Sequence, residues 1–264
     1  MYDFNYYKPA SLDEAARLLA ENNNSKLLAG GMSLIPSLKM RLNRYSALVD
    51  LGAVQDIKGI RRDGDALVIG AMTPHAVVAA SADVQKILPA IASLAEGIGD
   101  PLVRNRGTMG GSMANADPAA DYPSAIVGLG AMVVTNQRQI SGDDFFKGVF
   151  ETALNPGEII REVRFPIPQK AGYAKYRQPA SRFAIVGVFV SQSAKGVRVA
   201  VTGAAPSVFR FAAAEAALAK RFDPAALDGL TVKADDLNSD IHASAEYRAH
   251  CVVEMARRAV LAAR

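Results

Sequence analysis

Apolar positions along this chain alternate between two rhythms, one of helices and one of short strands. Leu12, Ala15, Ala16 and Leu19 fall on one helical face. Ser11 precedes them and Glu14 follows three residues later, a capping box, so a helix is predicted from Leu12 until Asn22-Asn23-Asn24 stops it. Lys26 to Ala29 predicts a short buried strand and Gly30 to Ser33 a turn. Leu34, Ile35, Leu38 and Leu42 predict a second helix, with Pro36 tolerated in its first turn. Ala47 to Leu51 reads as a strand again. Residues 1–55 therefore predict a small β-α-β-like layer.

The rhythm then changes. Gly59 to Arg62 and Ala66 to Ile69 flank Asp63-Gly64, a strong hairpin turn. Thr73-Pro74 predicts an N-cap and a first-turn proline, with His75 on the polar surface of the helix that follows. Ile87, Leu88, Ile91, Leu94 and Ala95 predict one helix, ended by Gly97. From Gly99 to Asp121 the periodicity fades, and Gly107, Gly110, Gly111 and two prolines predict a long irregular stretch, which inside a compact domain is usually functional. A helix resumes from about Pro123 to Leu129. Met132 to Thr135 and Ile159 to Phe165 read as strands.

Pro166-Ile167-Pro168 marks a boundary. Beyond it, Gly172 to Arg177, Ala184 to Ser191 and Val197 to Gly203 predict an antiparallel meander. Helices are predicted at Ala212 to Arg221 and Ala245 to Ala263, with Pro224 to Leu230 a further candidate. Tyr247, Cys251, Val252, Met255 and Ala259 line one side of the last. The predicted class is α+β, with residues 1–166 in two subdomains (about 1–55 and 56–166) and residues 167–264 holding a three-stranded antiparallel sheet packed by helices.

Composition narrows the chemistry. Half of the 264 residues are apolar and 21% are charged, as in an ordinary globular protein. A single cysteine, Cys251, excludes a disulfide scaffold and any all-cysteine zinc or iron–sulfur site within this chain. It sits among apolar residues and reads as core. His75, His242 and His250 have no ligand-like spacing, so no metal site is expected. Thirty basic against 26 acidic residues, without basic runs, argue against nucleic acid. No basic-then-apolar leader pattern and no bilayer-length apolar run is present, so a cytoplasmic location without a membrane span is expected. Neither a G-x-S-x-G elbow nor H-E-x-x-H occurs.

Two glycine turns carry the strongest chemical signal. The first is Leu28-Ala29-Gly30-Gly31-Met32-Ser33, at a strand-to-helix junction. The second is Gly107-Thr108-Met109-Gly110-Gly111-Ser112. Glycines let backbone approach a ligand closely, and successive N–H groups form an anion cradle. Two such cradles suit a ligand with adjacent phosphates; read singly, each is an ordinary tight turn. Neither is a dinucleotide fingerprint or a P-loop. Arg104 and Arg106 read either as phosphate partners or as loop braces. Asp117 and Asp121 read either as ribose ligands or as helix caps.

Ala29-Gly30-Gly31-Met32-Ser33-Leu34, Thr108-Met109-Gly110-Gly111 and Asp117-Pro118-Ala119-Ala120-Asp121 resemble the FAD-binding medium subunit of molybdenum hydroxylases, of the aerobic carbon monoxide dehydrogenase and xanthine dehydrogenase type. The resemblance runs nearly end to end, through Ile98 to Gly107, Lys175-Tyr176-Arg177 and Ser181 to Ala184. It implies an FAD-binding (vanillyl-alcohol oxidase or PCMH-type) fold followed by a carbon monoxide dehydrogenase flavoprotein-like C-terminal domain. It assigns Leu27, Leu28, Ala29, Gly30, Gly31, Met32, Ser33 and Leu34 to the first FAD loop. Thr108, Met109, Gly110, Gly111 and Ser112 go to the pyrophosphate loop, and Asp121 to a polar FAD contact. Ile98 falls in the adenine or ribose region and Ile160 at an apolar flavin contact. Arg177, with Lys175 as the alternative, falls near the flavin ring, and Phe183 takes the place of an aromatic beside it. Met32 departs from a common His or Gln, Met109 from Ile or Val, and Ser112 from Asn, which leaves the hydrogen bond at that point open. The single cysteine departs from relatives that reduce 4-hydroxybenzoyl-CoA, which carry extra cysteines.

The resemblance thus implies an electron-transfer subunit with FAD as its only cofactor. Molybdopterin would lie on a large partner subunit and two [2Fe–2S] clusters on a small one, in a dimer of heterotrimers. No residue of this chain need then act as acid or base. A stand-alone flavin oxidoreductase, and a nucleotide-binding module without redox function, are the rival readings.

Overall fold

A computed structural model describes residues 1–264. Strands β1 (Asn5–Tyr7), β2 (Ser25–Leu28) and β3 (Ala47–Asp50) form a parallel sheet in the order β1-β3-β2. Strand β1 was unmarked by pattern, because Asn5-Tyr6-Tyr7 is too short to show a period. Helix α1 (Leu12–Glu21) starts as the capping box requires: Ser11 Oγ accepts from the Glu14 N–H at 3.2 Å. The Glu14 carboxylate reaches one residue further back than the box implies, to the Ala10 N–H at 2.9 Å. Helix α2 (Leu34–Lys39) stops short of Leu42, which is exposed and does not continue the apolar stripe. Arg41, at φ +58°, turns the chain away first.

The chain next runs through β4 (Ile60–Asp63), β5 (Ala66–Gly70), α3 (His75–Ala80), α4 (Ala82–Ile87), α5 (Pro89–Glu96), α6 (Pro101–Arg106), α7 (Met109–Asn115) and α8 (Tyr122–Leu129). It continues as β6 (Met132–Thr135), β7 (Gln139–Ser141), α9 (Gly142–Phe145), β8 (Phe146–Gly148), β9 (Glu151–Thr152) and β10 (Ile160–Pro166). A five-stranded antiparallel sheet, ordered β4-β5-β10-β6-β7, carries this region, and its core includes Leu67, Ile69, Ile91, Leu94, Val133 and Phe165.

Four expectations fail here for physical reasons. The single helix through Ile87 to Ala95 is broken in two by Pro89, which starts α5. Thr73 does not cap α3: its hydroxyl pairs with the Gly59 N–H and C=O, each at 3.0 Å, and Pro74 takes the cap position. His75 is 4% exposed and lies beneath the surface. The stretch from Gly99 to Asp121 is not irregular but folds as α6 and α7. Asp100 caps the first through the Val103 N–H and Thr108 caps the second through the Gly111 N–H. Helices of six and seven residues are too short to show a stripe.

The last region holds β11 (Lys170–Arg177), β12 (Ala184–Ser193), β13 (Gly196–Thr202), β14 (Phe209–Arg210), α10 (Ala212–Lys220) and α11 (Ala245–Ala262). The sheet is an antiparallel meander in that order, so the two-residue β14 adds a fourth strand to the three expected. Pro224–Leu227 is a single 3-10 turn. Cys251, Val252, Met255 and Ala259 of α11 pack on one face of the sheet, whereas Tyr247 is exposed. The other face meets the preceding region: Phe189 joins its core and Tyr173 packs against it. Thr202 Oγ1 bonds the carbonyls of Pro118 and Ala120, and the Ala184 N–H donates to the Ala119 carbonyl. The Asp117–Asp121 segment is thereby stapled to the C-terminal sheet.

Candidate functional site

The two glycine turns meet in space. A Cβ placed on Gly30 would stand 2.7 Å from the Arg106 carbonyl carbon and 2.8 Å from Gly107 Cα, so only glycine admits this approach. From the other side, a Cβ on Gly111 would lie 3.2 Å from Ala29 Cβ. The junction is braced from below by His75, whose N–H donates to the Gly107 carbonyl at 3.0 Å and whose ring fills the space beside Gly107 Cα.

Their polar groups differ. The backbone N–H groups of residues 29 to 34 donate no hydrogen bond within the chain. Gly31, at φ +77°, supplies the left-handed turn that leaves them free. Six consecutive unpaired donors around a glycine turn leave a nest of N–H groups available to an anionic acceptor such as a phosphate. The second turn was expected to offer bare N–H groups as well, and it does not. Met109 donates to Thr73 O at 3.2 Å, Gly110 to Ala71 O at 2.8 Å, Gly111 to Thr108 Oγ1 at 3.2 Å and Ser112 to Thr108 O at 3.0 Å. Thr108 and Met109 are buried, Met109 wholly in the core, while Gly111 and Ser112 face partly outward. This turn forms a wall beside the nest, and only its outer edge is open to a ligand.

The remaining predicted positions fall in two places. Leu27, Leu28, Met32, Ser33 and Leu34 flank the nest, Met32 and Ser33 being exposed. Ile160 is buried in the five-stranded-sheet core, whereas its neighbour Ile159 packs in the cluster that Leu27 and Ala29 cover. Ile159 precedes β10 and Ile160 is its first residue, and the two side chains pack in different clusters.

Ile98, Asp121, Arg177 and Phe183 gather where the C-terminal sheet meets α5, α6 and α8. Arg104 Nη1 donates to the carbonyls of Ile98 and Gly99 at 3.0 and 2.9 Å, the loop-bracing alternative. Asp121 makes no cap bond and is 4% exposed; its Oδ1 accepts from Tyr173 Oη at 2.5 Å and pairs with Lys175 Nζ at 2.7 Å. Burial pushes its carboxyl up, and the Lys175 ammonium and Tyr173 hydroxyl oppose that shift. Asp117 Oδ1 accepts from the Ala119 N–H at 2.9 Å, and burial pushes its carboxyl up too. Arg177, after a bulge at the end of β11, and Phe183, the residue just before β12, are exposed at the two ends of the connecting loop. Burial first, and Arg104 second, lower His75 to about 4. His75 was expected at the surface and Tyr173 was given no site role, because the contacts that define both are tertiary.

A family described as the FAD binding domain in molybdopterin dehydrogenase matches residues 2–168, and one described as the CO dehydrogenase flavoprotein C-terminal domain matches residues 171–263. The chain belongs to the family of FAD-binding medium subunits of molybdenum hydroxylases. The nicotine 6-hydroxylase medium subunit of Paenarthrobacter nicotinovorans is 36% identical to this medium subunit, over 98% of this chain and 96% of the relative. The carbon monoxide dehydrogenase medium chain of Hydrogenophaga pseudoflava is 34% identical over the same shares. A solved structure of carbon monoxide dehydrogenase from that organism superposes with a TM-score of 0.88, covering 99% of this chain and 97% of the other at 34% identity. Quinoline 2-oxidoreductase from Pseudomonas putida 86 gives 0.88 at 30% identity, covering 98% and 96%. The medium subunit is thus part of an oxidoreductase, and the free donors and bare glycines at residues 29–34 fit its family's cofactor, FAD. None of its helices is long and apolar enough to cross a membrane.

Proposed function

We propose that this medium subunit is the electron-transfer subunit of a heterotrimeric molybdenum hydroxylase. The observation that carries this reading is the nest of unpaired N–H groups at residues 29–34, walled by the second glycine turn, in a chain of this family. When bound, FAD supplies the redox chemistry that links [2Fe–2S] clusters on a small partner subunit to an external acceptor.

The chain's own residues bind and orient. Residues 29 to 34 offer N–H donors to a diphosphate, and Gly30 and Gly31 leave room for it to approach. Ala29, Gly111 and Ser112 close one side, and Ile98 lines the nucleoside end. Residues 1–166 act as the cofactor domain. Residues 167–264 present Arg177, as a cation, and Phe183, as an apolar surface, towards the ring. His75 remains neutral at physiological pH, so the support beneath Gly107 carries no charge.

The molybdenum cofactor and the hydroxylated substrate belong to a large partner subunit, and the complex is a cytoplasmic dimer of heterotrimers. A single cysteine and three scattered histidines favour this division of labour over a self-contained metal relay. Purification of the complex tests the reading. The yellow chain is expected to co-elute with a molybdenum-containing large subunit and an iron–sulfur small one. A yellow chain that oxidises an organic substrate with neither partner present would instead favour a stand-alone flavin oxidoreductase.

A further inference from the structure

Lys175 carries a charge into a place where charges are expensive. Its side chain is 7% exposed and lies on the face of β11 turned towards the cofactor domain, two residues from Tyr173. A lysine buried this far needs its proton donors matched. Three acceptors are present: Asp121 Oδ1 at 2.7 Å, the Gly97 carbonyl at 2.9 Å and the Arg182 carbonyl at 2.9 Å.

Those three acceptors belong to three different segments. Gly97 ends α5, Asp121 opens α8, and Arg182 lies in the β11–β12 connection. That connection, residues 178–183, is strained at Arg182 (φ +62°), whose guanidinium also donates to the Gly99 carbonyl at 3.2 Å. Gly99 in turn precedes α6, and α6 ends at the Arg106 carbonyl beneath Gly30. A six-residue helix spans about 9 Å. The connection is therefore anchored at one end of α6 while the nest sits at the other.

We propose that Lys175 is a positioning residue: it pins the 178–183 connection to the Gly97–Gly99 turn and so sets where Arg177 and Phe183 stand relative to the glycine-turn site. A merely structural ion pair would stabilise the domain contact without governing that connection in particular. The proposal rests on the reading that FAD occupies the glycine-turn site, and its test separates the two.

The variant is Lys175→Met combined with Asp121→Asn, which removes the pin without stranding a buried charge. Amide hydrogen exchange is measured on the full chain without FAD. Exchange in residues 178–183 and 97–99 should rise at least tenfold, with α11 unchanged. Arg182→Ala, which removes the Gly99 bond but keeps the ion pair, should loosen 178–183 less than the double variant does and serves as the reference should that variant misfold. Wild-type exchange in the double variant, or equal loosening in Arg182→Ala, would overturn the pin. In a second arm, FAD bound to the double variant should be quenched by iodide several-fold more readily than in wild type. Loosening without any change in quenching would overturn the positioning role. Failure of the wild-type chain to take up FAD would refute the functional reading and leave the exchange result standing.

Discussion

Gly30 rests directly against the Arg106 carbonyl, so the strand-to-helix turn of the first subdomain and the α6–α7 junction of the second form one surface. Gly30→Ala must push these backbones apart. The expected cost is about 1–3 kcal/mol of stability, as for overpacking elsewhere, measured by denaturant unfolding. A stability equal to wild type would show that the junction yields freely.

His75 makes stability depend on pH. The unfolded imidazole takes up a proton below about pH 6.5, the folded one only below about 4. Because the folded pKa is depressed, this contribution is intact above 6.5 and is lost as pH falls towards 4. At about 1.4 kcal/mol per pKa unit, about 2 kcal/mol should be lost between pH 7.5 and 5. Unfolding at the two pH values in wild type and His75→Phe checks this: the difference should shrink by that amount in the variant, and an unchanged difference would contradict it.

Much of this architecture was legible in the chain. Ser11, the Asp63-Gly64 hairpin and the C-terminal meander announce themselves through local chemistry, because caps, turns and strand alternation depend on neighbours in sequence. The glycine turns were legible as sites for the same reason. What escaped notice depends on tertiary contact. Thr73 looks like a cap until Gly59 takes its hydroxyl, and His75 looks solvated until Gly107 covers it. The second turn looks like a cradle until Thr73, Ala71 and Thr108 accept its N–H groups. Asp121 looks like a cap or an open ligand until a strand 52 residues away brings Tyr173 to it.

Asp121→Ala should be far more damaging than its size implies. It would leave the Lys175 ammonium buried opposite no carboxylate, and breaking such a pair costs about 3–5 kcal/mol. Adding Lys175→Met should recover most of the loss in thermal unfolding. A double variant no more stable than Asp121→Ala would mean that packing, rather than charge, explains the damage.

Arg177 is exposed, so Arg177→Met should leave unfolding within about 0.5 kcal/mol of wild type. If its cation faces the reduced ring, the variant should lower the flavin midpoint potential. An unchanged potential would remove Arg177 from the flavin environment.

Equilibrium titration of FAD into the purified apo chain, followed by flavin fluorescence, bears most directly on the glycine-turn site. Saturable one-to-one binding in wild type, weakened at least tenfold by Gly30→Ala while the variant remains folded, is the predicted result. Equal FAD affinity in wild type and a folded Gly30→Ala chain, or no uptake by wild type at all, would contradict it.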